Sequence, residues 1–355
     1  MILDTVDILI VGGGIAGLAT AAALAERGVG SVAVLDRELV PGFYASGHNA
    51  GIARSLTGRI EHSRLAVEGR GRLAEAGLLE PTGGLLLAME GAALEALEAE
   101  AAELGVETTR GAGGGEPGLQ AAAHLRIPGD GVIDTHGLLG LCARRARAGG
   151  AALHYGLAVT AIHPEAEGFT VEAGDRTFRA ATLVNAAGAW AAELGRRAGG
   201  LDLDLKPLRR HLAWSDHPFG LRPWAWWVDQ PFYARAESGG TLMCPCDEAE
   251  VPLPAPGQQP ATDAAQLERL GDLAAALAPD LMEARPVRAC SGLRTFSPDR
   301  RFVVGRDPLN PRLVWAAALG GHGMTTGLAV GRRVAEAILD GREDGLSPAR
   351  FAQGS

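Results

Sequence analysis

Cysteine is scarce in this chain, with four in 355 residues, scattered at Cys142, Cys244, Cys246 and Cys290. They cannot build a disulfide framework, and Cys244-Pro245-Cys246 has no second Cys or His cluster to complete a tetrahedral zinc site. Reduced thiols, a cytoplasmic location and no metal are the expectation. Positive charge is also in deficit. Lys and Arg number 33 against 42 Asp and Glu, a formal net charge of −9, and such a field repels phosphate backbones. Nucleic acid is not an expected partner. The segment Met1 to Asp7 carries acids and lacks the basic region and cleavage site of a signal peptide. No run of roughly 18 uninterrupted apolar residues offers a transmembrane segment, so the protein reads as soluble.

Apolar material is plentiful, at 47% of residues, which excludes a disordered chain. A prior of roughly 150 residues per domain points to two domains. Asp7–Val11 is a short apolar strand pattern ending in three glycines, Ile15–Arg27 an Ala- and Leu-rich helix, and Ser31–Leu35 a second buried strand closing on Asp36. This is a β-α-β unit with a parallel sheet. Helices are expected over 61–76, 92–104 and 134–148, and from Thr262 with Asp263 near the cap. Residues 153–155, 158–162, 169–173 and 177–179 read as a small antiparallel layer, 182–186 as a buried strand, and 206–251 as mostly strand. A strand over 313–318, a glycine turn over 320–327 and a helix over 328–339 return the tail to α/β. The two ends therefore look like one layer system wrapped around a different middle.

Gly12-x-Gly14-x-x-Gly17 lies between the first strand and helix. The three glycines serve a tight turn, room for a pyrophosphate, and close helix-to-strand packing. The helix N-terminus offers N–H groups and a positive dipole end to phosphates. Asp36 stands at the end of the second strand, where a carboxylate accepts both hydroxyl hydrogens of a ribose. A long glycine-bearing loop follows, and matching α/β pieces return only near the C-terminus. That order favours FAD over NAD.

Four blocks resemble the D-amino-acid oxidase-like FAD-dependent oxidoreductases, the group holding glycine oxidase, sarcosine oxidases and D-amino-acid dehydrogenases. They are VGGGIAG with Asp36-Arg37; Ser46-Gly47-His48-Asn49-Ala50-Gly51; LVNAAGAW, containing Ala187, Gly188 and Trp190; and GLRTFSPD around Arg294 followed by Gly320-Gly321-His322-Gly323. Within the family, Pro207–Arg210, Pro231–Tyr233 and Gly292–Phe296 look most like D-arginine dehydrogenases, and SGHNAG as much like L-2-hydroxyglutarate dehydrogenases. The resemblance implies an α/β fold: a discontinuous, Rossmann-like FAD-binding domain (1–82, 132–205 and 290–355) and a sheet-based α+β substrate domain (83–131 and 206–289). It places Gly12, Gly14, Ile15, Ala16, Gly17, Asp36, Arg37, Ser46, His48, Asn49, Ala50, Gly51, Ala187, Gly188, Trp190, Gly320, Gly321, Gly323, Met324 and Thr325 along the FAD. His48 either hydrogen-bonds near the cofactor or attaches it covalently. Glycines at 320, 321 and 323 would let N–H groups approach the N1/O2 edge, where negative charge builds up on reduction.

The resemblance also implies the chemistry. Arg294 would take a substrate carboxylate through two parallel hydrogen bonds, Tyr233 would share it, and Arg210 or its neighbour Arg209 would face the substrate, since adjacent strand residues point opposite ways. His322 would tune the step or accept a proton, or simply pack. The Cα–H of a small amino acid, expected to be a D-amino acid, would leave as hydride to flavin N5, and the imine would hydrolyse to a 2-oxo acid and ammonia. No acid stands at Gly83-Gly84-Leu85 to meet a cationic side chain, so a D-arginine preference is not expected. Arg54 and Thr57 follow SGHNAG; Arg54 either meets an acidic substrate group or points to solvent, with solvent the plainer expectation. Lys206 is the chain's single lysine and falls in an expected linker, away from where some relatives keep an oxygen-activating lysine. That favours a dehydrogenase using a quinone or carrier over an oxidase. Trp224, Trp226 and Trp227 read as core or interface. Two rivals stay open: a 2-hydroxy acid dehydrogenase with the same carboxylate clamp, and a flavoprotein subunit acting with a partner.

Overall fold

The computed structural model describes residues 2–354. Its first layer is an eight-stranded sheet. The apolar strand Ile2–Val11 lies parallel to Val32–Asp36 on one side and to Arg176–Asn185 on the other. Leu313–Ala317 pairs parallel with Arg176–Asn185, and Val303–Arg306 pairs antiparallel with Leu313–Ala317. Helices Ile15–Glu26, Thr135–Ala148 and Gly323–Leu339 cover one face, as the near-continuous apolar runs of a parallel sheet require. They approach closely because small residues meet: a Cβ at Gly331 would stand 2.4 Å from the Ala19 carbonyl carbon.

Three local expectations are corrected. Residues 177–179 and 182–186 are one strand, Arg176–Asn185. Its first half pairs antiparallel with Gly168–Ala173 and its last residues pair with the C-terminal strand, so two patterns read as separate belong to one element. Ala152–Tyr155 is not in the antiparallel layer; it extends the main sheet, parallel to Val32–Asp36. The last helix starts at Gly323 instead of 328, with Gly323 and Gly327 inside it. Gly327 is tolerated there because Ile15 fills its space: a Cβ would lie 2.4 Å from Ile15 Cγ1.

The second layer is a nine-stranded sheet. Lys206–Ser215 pairs antiparallel along its whole length with Pro286–Phe296, the longest strand of the chain at 11 residues. On from there run Gly240–Cys244, Phe232–Glu237, Trp224–Trp227, Gly84–Ala88, Ala123–Ile127 and Thr109–Ala112. The boundary expected at residue 290 falls inside Pro286–Phe296. Lys206 opens a strand and is not in a linker; its Nζ is paired with Asp204 and Glu250 at the surface. Helix Ala264–Leu277 is capped by Asp263, which accepts from the Ala265 N–H at 3.1 Å. Among the described residues no helix is long and apolar enough to cross a membrane.

Candidate active site

Two cavities meet at Arg294. The first, of about 460 Å³, runs along the carboxyl ends of the parallel strands, the usual place for a ligand on an open α/β sheet. One end of it is built from glycines and the first helix turn. Gly12 has φ +117°, and a Cβ there would lie 2.2 Å from Ala186 O. Gly14, Ile15 and Ala16 open the first helix turn onto the cavity, and Ser46 Oγ holds the Ile15 N–H at 3.0 Å. Gly17 does not line it; a Cβ there would fall 1.9 Å from Gly12 O, so this glycine seats the helix on the strand. Asp36 accepts from the Gly13 N–H at 2.6 Å and the Glu38 N–H at 2.8 Å. Burial raises its pKa, and those two donors oppose the rise.

Beyond Asp36 the wall is an aromatic stack. The Arg37 guanidinium lies 3.7 Å from the Trp190 ring centroid, and Tyr44 packs on Trp190 at 4.6 Å. Tyr44 donates to Glu38 Oε1 at 2.6 Å, while the Gly257 N–H donates to the same carboxylate at 3.2 Å. The proline-broken segment thus folds over this end, with Pro256 lining the cavity. Sequence reasoning missed Tyr44, Glu38 and Pro256; the only available signal was the rarity of tyrosine, three in the chain. Asn49, Ala187, Gly188, Gly320, Gly321, Gly323 and Met324 complete the lining. A side-chain-free glycine cradle, a helix N-terminus and an acid at the second strand's end form a donor set that fits FAD.

The second cavity, of about 560 Å³, opens beside the first and shares Asn49, Arg294, Gly320, Gly321 and Met324 with it. Strand register fixes its chemistry. Leu208 stands opposite Arg294 and Arg210 opposite Gly292, so Arg210 and Arg294 share a sheet face, while Arg209 turns away to Asp263 at 2.8 Å. This settles Arg210 against Arg209. Arg294 is only 6% exposed; its Nη1 donates to Leu293 O at 3.1 Å and Nη2 to His48 O at 2.6 Å. Glycine makes room on both sides: a Cβ at Gly292 would lie 3.3 Å from Arg294 Nη1, and one at Gly321, φ +92°, 3.2 Å from its Cδ. Tyr233 is 4% exposed and stacks on Trp226 at 4.4 Å. Burial keeps its hydroxyl protonated well above the ordinary range. His322 caps the last helix and lines the same chamber; burial holds its ring neutral, far below the ordinary histidine value, with Arg54 adding to the effect.

Several residues stand elsewhere than expected. His48 lines a third cavity with Asp134 and His136 and not the first; its Nδ1 lies 3.3 Å from Tyr44 O, and its carbonyl accepts from Arg294. Ala50, Gly51 and Thr325 line the second cavity and not the first; Thr325 Oγ1 donates to Ile52 O at 3.1 Å. The Gly320 N–H is spent on Thr295 O at 3.1 Å, which removes it as a donor to a ligand. Trp224 and Trp227 are fully buried, and Trp226 and Trp227 both line the chamber. Arg54 points into the chamber and not to solvent, its guanidinium 4.5 Å from the Trp226 ring centroid. Arg300 and His62, unremarked in the sequence, also line it. At Gly84, a Cβ would lie 2.2 Å from Trp224 Cζ2, so no acid fits at that position.

A family model described as FAD dependent oxidoreductase (DAO) matches residues 7–337. Mouse mitochondrial dimethylglycine dehydrogenase is 32% identical over 238 residues, covering 62% of this chain and 27% of that protein. Glycine oxidase of Geobacillus kaustophilus is 29% identical over 241 residues, covering 67% of this chain and 62% of that protein. The chain thus spans less than two thirds of the length of these relatives. A crystal structure of glycine oxidase from Geobacillus kaustophilus superposes with TM-score 0.81 at 26% identity, covering 98% of each chain. That of L-proline dehydrogenase from P. horikoshii gives 0.87 at 21% identity, covering 100% of each, and shows the fold.

Proposed function

The chain belongs to the FAD-dependent oxidoreductase (DAO) family, and on that premise we propose that it oxidises a small amino acid to the imine, which water converts to a 2-oxo acid and ammonia. One observation carries this reading: Arg294, a buried guanidinium, stands where the FAD cavity and the polar chamber join. A substrate carboxylate held there has its α-carbon beside the place of the cofactor. FAD, when bound, takes up the α-hydrogen with its electron pair. The protein orients and excludes water. Tyr233 donates its hydroxyl hydrogen to the carboxylate, the substrate reacts with its amine unprotonated, and the neutral ring of His322 in the same chamber accepts a hydrogen bond from that amine. The glycine oxidase and dimethylglycine dehydrogenase relatives act, by name, on small amino acids. The D-configuration rests on the sequence resemblance alone.

The test is anaerobic mixing of the yellow holoprotein with separate panels of D-amino acids, L-amino acids, N-methylated glycines and 2-hydroxy acids, followed by flavin absorbance. Bleaching by an amine panel is the expected result, and the panel that acts identifies the stereochemistry. Bleaching by 2-hydroxy acids alone would replace the amine with a hydroxyl as the oxidised group. Holoprotein that no panel bleaches would be a subunit acting with a partner.

A further inference from the structure

The chamber carries more positive charge than one carboxylate can answer. Five guanidiniums, those of Arg54, Arg59, Arg210, Arg294 and Arg300, face two carboxylates, Asp229 and Glu248. Glu248 is shared by Arg210, at 2.7 Å, and Arg300. Arg294 meets only backbone oxygens. Arg54 donates Nε to Leu56 O at 2.7 Å, and among the described residues its two terminal nitrogens have no acceptor and no acid pairs with it. The Trp226 ring, 4.5 Å from the guanidinium carbon, holds this group at the chamber wall, where its terminal nitrogens can meet a bidentate acceptor. Asp130 and Glu100 act on Arg54 only through space, without an ion pair, and burial outweighs them, pushing its pKa down to about 10. Arg294 lines both cavities and Arg54 only the chamber, so the two guanidiniums without an acidic partner lie at the cofactor end and away from it. Of the chamber's two carboxylates, Asp229 is the one not taken up by an arginine; its Oδ2 accepts from the Glu90 N–H at 2.8 Å, and its Oδ1 is buried without a partner.

We propose that the substrate is a dicarboxylate, an amino acid whose α-carboxylate rests on Arg294 and whose second carboxylate is taken by Arg54. This deepens the reading above and rests on its carboxylate clamp. The test uses ligands that cannot be oxidised, read by the shift of the flavin absorbance band in the holoprotein. Succinate and glutarate are compared with butyrate and valerate, and with 4-aminobutyrate and 5-aminovalerate. A diacid is expected to bind about 10- to 100-fold more tightly than the monoacid of equal length, the size of one charge-assisted contact. Arg54→Met brings that ratio to within about twofold, and Arg54→Lys restores part of it. Equal affinities in the wild-type holoprotein overturn the proposal without recourse to any variant. Tighter binding of the amino-acid ligands overturns it too, by assigning the chamber to Asp229. A diacid preference in a holoprotein that no amine bleaches supports the anion site and removes only the amine-oxidation reading.

Discussion

At its phosphate end the FAD cavity is shaped by glycines and a helix N-terminus from one contiguous motif, whereas the chamber beside it is walled by long cationic and aromatic side chains from segments as distant as Arg54, Trp226 and Arg300. The first tolerates almost no added atom. The second is a matter of charge balance. Gly12 and Gly17 hold their places because a single carbon would strike a carbonyl at 2.2 or 1.9 Å; Arg54 and Arg294 hold theirs because strand register and a neighbouring ring keep them at one space. A backbone cradle serves a cofactor common to many relatives, and a side-chain chamber is where substrate choice resides.

Four changes would break or sharpen that contrast. The largest effect is expected at the cradle: Gly17→Val drives a side chain into the first strand, costing roughly 3 kcal/mol, and yields colourless or insoluble protein by flavin-to-protein absorbance ratio. A stable yellow variant would show that the cradle is looser than its geometry. Next, Arg294→Ala truncates one partner of a buried charge pair, about 2 to 5 kcal/mol or roughly 30-fold and more in KM, with flavin content retained. An unchanged KM in steady-state assays removes the clamp. Third, Asp36→Ala weakens FAD binding by about 10-fold, the scale of one charge-assisted hydrogen bond, as read by fluorescence titration of the apoprotein. Substrate KM at saturating FAD should not move.

The fourth effect is on stability against pH. Burial holds His62 down to about 4, the Arg59 charge adding to it, and keeps His322 well below the ordinary value. Unfolded, both bind a proton near about 6.5. Between about pH 6.5 and 4 the unfolded chain therefore binds more protons, and stability falls as the pH falls, by about 1.4 kcal/mol per pH unit for each histidine. His62→Gln should flatten that slope in urea melts. A slope equal to that of the wild-type protein would mean that His62 is already protonated in the folded state.

The cradle was legible because its cause is local. Gly12-x-Gly14-x-x-Gly17 and Asp36 are close in sequence, and the turn they make is dictated by steric exclusion within that stretch. Legibility fell off where partners are remote. Arg209 and Arg210 look alike in the chain, and only pairing with Pro286–Phe296 turns one to the chamber and the other to Asp263. For Arg54 the sequence leaves an acidic substrate group and solvent both open, with solvent the plainer expectation, because nothing near it in sequence announces the Trp226 ring beside it. His48 stood in a motif read as lining the cofactor, yet the turn after Tyr44 presents its carbonyl to Arg294, and the residue lines another cavity.

By itself the sequence determined the FAD-binding α/β unit and the family, since both follow from short-range spacing and from residue types held in contiguous blocks; Arg294 and Tyr233 entered as candidates through the family resemblance. Only the tertiary structure decided which arginines look into the chamber and which of them lack a counterion. A side chain's direction depends on register and stacking with strands that lie tens to hundreds of residues away, and so does the charge balance of the space it enters.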